Sequence, residues 1–163
     1  MARAAAEALG RLCDPSSFKR LSDAAAAGGS KRLAAVSGLG WCRKQAAAEQ
    51  LADLLAGAQT ESLAAVVAEA LGVMGSSWAW RSLGPQRAAE GLALREVAAR
   101  ALVPAFIRWH GVGRKATGIA LTMVEHPDLR SLVGQHRHQA DRTTAARLDR
   151  IVRRVEKRQG QRP

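Results

Sequence analysis

The sequence predicts an all-α protein of stacked helix pairs, and three observations carry that prediction. Hydrophobic residues make up 47% of the chain but aromatics only 4%, with no Tyr. The core must therefore come from small aliphatics that favour helices over strands. An Ala-Leu-Gly-like box recurs at Ala8-Leu9-Gly10, Gly38-Leu39-Gly40, Ala70-Leu71-Gly72 and Ala120-Leu121-Thr122, and twelve positions after each box leucine stands Leu21, Leu51, Leu83 or Val133. The first three box leucines lie 30 and 32 residues apart. A period near thirty marks a solenoid whose units cannot bury their apolar faces alone.

The elements follow from their stops. A helix over 3–12 ends at Asp14-Pro15, where Asp caps the next helix and Pro takes its first position. Helices follow over 16–27, closed by Gly28-Gly29, then 31–42, 44–56 closed by Gly57, and 60–74 closed by Gly75-Ser76-Ser77. Ser77 reads as the N-cap of a short helix through Leu83, stopped by Gly84-Pro85. Residues 86–109 read as one long or broken helix. Its Ala101-Leu102 keeps phase, 31 residues after Leu71, but Leu121 comes only 19 later. The fourth unit, irregular over about 85–115, has therefore lost or merged a helix, and Pro104 is expected to kink what remains. Helices over 114–125 (ending at His126-Pro127-Asp128), 128–137 and 142–158 complete the chain. We divide it into a repeat domain over 1–137 and a basic helix and tail over 138–163.

The last helix has two faces. Ala145, Leu148, Val152 and Val155, with Ile151 beside them, form an apolar stripe suited to capping the open end of a solenoid. Arg150, Arg153, Arg154 and Lys157 project the other way, within about 100° of one another. The formal net charge of +11 is concentrated here: from Arg130 onward there are ten Lys/Arg against Asp141, Asp149 and Glu156. Between Gln45 and Trp80 there is no basic residue at all. A mildly charged body with a basic end attracts phosphate-rich or acidic surfaces; the plainer alternative is a solvated helix that keeps an alanine-rich protein soluble.

Arg3-Ala-Ala-Ala-Glu-Ala-Leu-Gly-Arg-Leu-Cys-Asp-Pro15, with weaker copies at Lys31–Trp41, Ser62–Met74, Leu94–Val103 and Gly113–Pro127, resembles the HEAT-like repeats of the short bacterial type also found in phycobilisome lyases. The resemblance spans most of 2–135. It implies a short right-handed α-solenoid of antiparallel helix pairs, with the basic C-terminal helix as a cap. It also implies an arginine before each alanine run, matched by Arg32, Arg95 and Arg114 but not by Ala64. The acidic residue that often stands three positions before that arginine is replaced by Gly29, Leu92 and Gly111, so an inter-unit charge ladder is not expected. Enzymes built on similar repeats give two remote alternatives, bilin lyases and alkyl-base DNA glycosylases. For the latter, Trp78, Trp80, Trp109 and Glu125 could form a site.

Catalytic and metal-binding patterns find no match. His136-Arg137-His138 points two imidazoles apart on a helix, and no Cys-x-x-Cys, His-Glu-x-x-His or carboxylate pair accompanies them. Gly111-Val112-Gly113 before Arg114-Lys115 lacks the strand and spacing of a phosphate loop, so it reads as a helix-breaking turn. Cys13 and Cys42 read as small packing residues in preference to a disulfide. Charges interrupt the long apolar stretches, and the chain enters a helix directly, so we expect neither a membrane span nor secretion but the cytoplasm or an organelle matrix.

The expected function is a non-enzymatic scaffold or adaptor, without cofactor, metal or small-molecule substrate. Its grip on an acidic surface, foremost a ribonucleoprotein such as ribosomal RNA, would be Arg142, Arg147, Arg150, Arg153, Arg154, Lys157 and Arg158. The alternative partner is an acidic protein patch. Two indoles two positions apart cannot face one core. One of Trp78 and Trp80, with Arg81, is therefore expected at a partner contact, while Trp78 is the candidate to fill space under the irregular unit.

Overall fold

The computed structural model describes residues 2–161, which contain helices and turns and no strand. The helices are α1 (Arg3–Leu12), α2 (Pro15–Ala27), α3 (Arg32–Leu39), α4 (Gln45–Ala56), α5 (Glu61–Met74), α6 (Ser77–Arg81), α7 (Pro85–Arg108), α8 (Gly111–Val124), α9 (Leu129–His136) and α10 (Arg142–Gly160), with a 3-10 turn over Arg137–Gln139. Most ends lie within two residues of their predicted stops. Asp14 caps α2 as expected, its carboxylate accepting from the backbone N–H groups of Ser16 (2.9 Å) and Ser17 (3.0 Å) and from the Ser17 hydroxyl (2.7 Å). Those bonds hold the Asp14 pKa below the usual carboxylate value.

The helices pack in two series. α1 lies on α3, α3 on α5 and α5 on α8; beside them α2 contacts α4, α4 contacts α7 and α7 contacts α9. The box residues explain the first series. A Cβ on Gly10 would collide with the Gly38 carbonyl, one on Gly40 would sit 2.8 Å from Ala70 Cα, and one on Gly72 would sit 3.0 Å from Ala120 Cα. The glycine of each box thus meets the first residue of the next, and small side chains let the helices approach. Leu39, Leu71 and Leu121 turn inward and are buried, whereas Leu9 is only partly buried. Their partners Leu21, Leu51 and Val133 are buried as well, but Leu83 is 43% exposed. The predicted seam fails there because α6 ends at Arg81 and Leu83 falls in the turn before α7.

Five further expectations are corrected. The irregular unit is one continuous helix: α7 runs through Pro104 to Arg108. Ser76, not Ser77, caps α6, because the Ser77 hydroxyl is committed to Glu125 at 2.5 Å. Asp128 makes no side-chain cap; the Asp128 N–H donates instead to His126 Nδ1 (3.2 Å). Cys13 and Cys42 are joined in a disulfide across 29 residues, with a Cα–Cα distance of 5.3 Å. It ties the end of α1 to the turn after α3. Finally, residues 61–81 are long and apolar enough to cross a membrane, with mean hydropathy 1.3, and 56% of that stretch is buried inside the protein.

Arginine-to-carbonyl bonds cross-link elements without a charge ladder. Arg95 donates to the carbonyls of Val124 (2.8 Å) and Glu125 beyond the end of α8. Arg108 donates to those of Ala56 (2.6 Å) and Ala58 (3.0 Å) at the end of α4, and Arg114 to that of Trp109 (2.7 Å) after α7. Helix C-termini leave carbonyls unpaired and carry partial negative charge, so a guanidinium satisfies both needs.

Candidate nucleic-acid interface

Helix α10 packs on α8 and α9 through Thr144, Leu148, Val152 and Val155. Ala145 and Ile151, predicted in or beside this stripe, are only partly buried at its edges. On the side towards α9, its two acids are gripped from outside. Arg130 forks Glu156 at 2.7 and 2.6 Å, and Arg137 forks Asp149 at 2.8 and 3.0 Å. These guanidiniums, chiefly through their hydrogen bonds, hold both carboxyl groups below their usual pKa.

The seven predicted cations are all exposed. Arg142, Arg147, Arg150, Arg153, Arg154 and Lys157 have no ion pair among the described residues. Arg158 reaches Glu125 Oε1 at 3.4 Å. The single basic face expected from the helical wheel is in fact two. Arg150, Arg153 and Lys157 form an outer crest, while Arg147, Arg154 and Arg158 border a furrow between α10 and α8.

That furrow was not foreseen. Arg147 lies with Arg114 and Lys115 near the start of α8, Ile151 with Gly118 at its middle, and Arg158 with Thr122 and Glu125 at its end. The two helices therefore run parallel at an offset of about 33 residues, close to the repeat period. That offset was the available signal: it carries Arg114 onto Arg147 and Gly118 onto Ile151. Gly118 leaves the room, since a Cβ there would lie 3.0 Å from Phe106 Cε2 and 3.4 Å from Ile151 Cδ1. The resulting groove encloses about 490 Å³ and continues, through shared Ile119, Thr122 and Arg154, into a second hollow of about 400 Å³ that ends at Trp78.

Trp78 is 71% exposed, whereas Trp80 is 2% exposed and donates its Nε1–H to the Met74 carbonyl at 2.7 Å. The expectation is thus corrected: Trp80 fills the core and is not a partner contact, and Trp78 is the outward indole. Arg81 pairs with Glu125 Oε2 at 3.5 Å. Glu125 itself is buried in a left-handed backbone conformation (φ 46°), bonded to Ser77 and facing Arg81 and Arg158. Its carbonyl accepts from Gln159 Nε2 at 2.8 Å. The residue ties α6, α7 and α10 to the end of α8.

The remote glycosylase-like grouping is not assembled. Trp109 precedes α8 and Glu125 follows it, about 20 Å apart along the helix. The amide end of α8 is also taken, since the Val112 N–H donates to Glu61 Oε2 at 3.2 Å. That matches a turn and not a phosphate loop. A separate apolar groove of about 620 Å³ lies between α4 and α7, lined by Leu55, Val97, Ala101 and Pro104, with Arg100 and Arg108 also in its walls. No protein-family model and no curated protein matches this chain.

Proposed function

We propose that this protein is a small HEAT-like α-solenoid scaffold that docks in a larger assembly, its basic C-terminal helix gripping a phosphate-rich partner such as ribonucleoprotein. The solenoid reading is supported by the box-to-box contacts Gly10–Gly38, Gly40–Ala70 and Gly72–Ala120. The observation that carries the grip is the partition of charge on α10: its acids are consumed by Arg130 and Arg137, and six of its cations keep no ion pair among the described residues. Cations held this way gain affinity by releasing counterions from a nucleic acid backbone.

The test is binding of generic RNA and duplex DNA at low and moderate salt. Affinity falling steeply with salt supports the grip, and no binding at low salt refutes it. Replacing Arg150, Arg153, Arg154 and Lys157 by Gln is expected to weaken binding and flatten the salt slope while helical content and melting stay nearly unchanged. A large drop in melting temperature would show those residues to be structural. A second reading, a scaffold for proteins alone, is favoured only by the apolar groove between α4 and α7. It predicts no nucleic acid binding at any salt.

A further inference from the structure

We infer that the furrow between α8 and α10 takes a single strand of nucleic acid, phosphates along its basic edges and a base stacked on Trp78. This deepens the phosphate-grip reading above and rests on it. The furrow differs from a flat basic surface in three ways. Its edges carry Lys115, Arg147 and Arg154, exposed and without ion pairs among the described residues, and Arg114, whose guanidinium is fixed on the Trp109 carbonyl. Its floor is apolar, made of Phe106, Gly118 and Ile151, with Ile119 on the α8 side 53% exposed. Its far end presents an indole that is 71% exposed.

A duplex presents phosphates outward and hides its bases, so it could touch the basic edges but would leave the apolar floor and the indole unused. A single strand offers both chemistries at once: phosphates for the cations, and unpaired bases for apolar contact and stacking. From Arg147 to Arg158 the furrow runs about 17 Å, the rise of about five stacked nucleotides at 3.4 Å each. Two acidic residues lie at its ends, and neither opposes the strand. Glu125 is buried between Arg81 and Arg158, and Asp141 is engaged in capping α10 through Thr144.

The test is fluorescence anisotropy of the full chain with a labelled oligouridylate, an oligothymidylate and a duplex of equal length, across a salt series. Both single strands, or one of them, are expected to bind more tightly than the duplex, and which one identifies the source. Trp78→Ala should weaken strand binding about five- to a hundredfold with an unchanged salt slope, because stacking is not ionic. Trp78→Phe should recover part of the loss. Replacing Arg147 and Arg154 by Gln should instead lower the slope, by about 0.7 for each phosphate contact removed. Duplex bound as tightly as the strands, or Trp78→Ala within twofold of the parent, overturns the single-strand assignment and leaves the phosphate grip standing. No binding of any of the three at low salt overturns both.

Discussion

The box glycines make the stacking testable by adding one methyl group. In Gly38→Ala the new Cβ would lie 2.5 Å from the Ala6 carbonyl oxygen, 2.7 Å from Leu21 Cδ2 and 2.9 Å from the Ala6 carbonyl carbon. Ordinary contact between carbons needs about 3.5 Å or more, and two of those three atoms are backbone. Helices α1 and α3 must therefore part by roughly 1 Å, which also loosens the neighbouring contacts along their crossing. Overpacking of this kind costs about 1–3 kcal/mol. Replacing Gly returns less than about 1 kcal/mol of helix propensity, because Gly38 is the penultimate residue of α3. The net expectation is a loss of about 1–2 kcal/mol, or a Tm lowered by about 2–8 °C in a chain of this size. Gly134→Ala is the control, since nothing lies within 4 Å of a Cβ there in α9. It should gain about 0.5–1 kcal/mol. Thermal and urea melts followed by circular dichroism read both. If Gly38→Ala melts at or above the parent temperature, the boxes are not close crossing points and the packing argument fails.

Three other outcomes follow from the same packing. Leu71→Ala should cost about 2–5 kcal/mol by urea unfolding, whereas Leu83→Ala, in an exposed turn, should cost about 0.5 kcal/mol; equal losses would contradict the burial pattern. Reducing Cys13–Cys42 should remove about 3–4 kcal/mol by releasing a loop of 29 residues, and an unchanged melt in reductant would show the bond to be inert. His126 is buried 2.6 Å from Glu96 Oε2, and burial pushes its pKa below 6.5 despite that carboxylate. Above about pH 6.5 both folded and unfolded imidazoles are neutral. As pH falls below 6.5 the unfolded chain takes up the proton first, so stability should fall with pH until the lower folded pKa is passed. His126→Gln should flatten that part of the Tm profile, and an unaltered profile would refute the assignment.

Much of the fold was legible because helix stops are local chemistry. Asp14-Pro15, Gly28-Gly29, Gly57 and Gly75 each supply what the backbone needs at that point, and the helices end beside them. The burial of Leu39 and Leu71 followed from the repeat spacing in the same way. What the sequence hid depends on contacts between distant residues. No local rule distinguishes a packing cysteine from one whose partner lies 29 residues away, and the disulfide was missed on that account. The N-cap at Ser76 was displaced by one because Ser77 is drawn to Glu125, 48 residues on. The choice between Trp78 and Trp80 turned on the Met74 carbonyl that receives the Trp80 indole and on Gly91, where any Cβ would strike that ring. For the basic helix, the cations were legible as a set, but their division was not. A wheel drawn for α10 alone contains no α8.

The charge on α10 can also be judged by what it forgoes. Asp149 and Arg153 stand four apart, and Arg153 and Glu156 three apart, spacings at which helix side chains pair and add a few tenths of a kcal/mol each. A helix selected only for solubility would gain from those pairs and lose nothing. Here both acids turn instead to Arg130 and Arg137 and fix α10 to its neighbours. The crest and the furrow edge therefore keep their positive charge, with the self-repulsion that clustering brings. Seven-residue spacing keeps each role on its own stripe: Leu148 and Val155 inward, Asp149 and Glu156 towards α9, Arg147 and Arg154 towards the furrow, since seven residues drift only about 20°. Three stripes meeting three different surroundings are hard to reconcile with a merely solvated face. They favour a helix whose acids serve the fold so that its cations remain available to a partner.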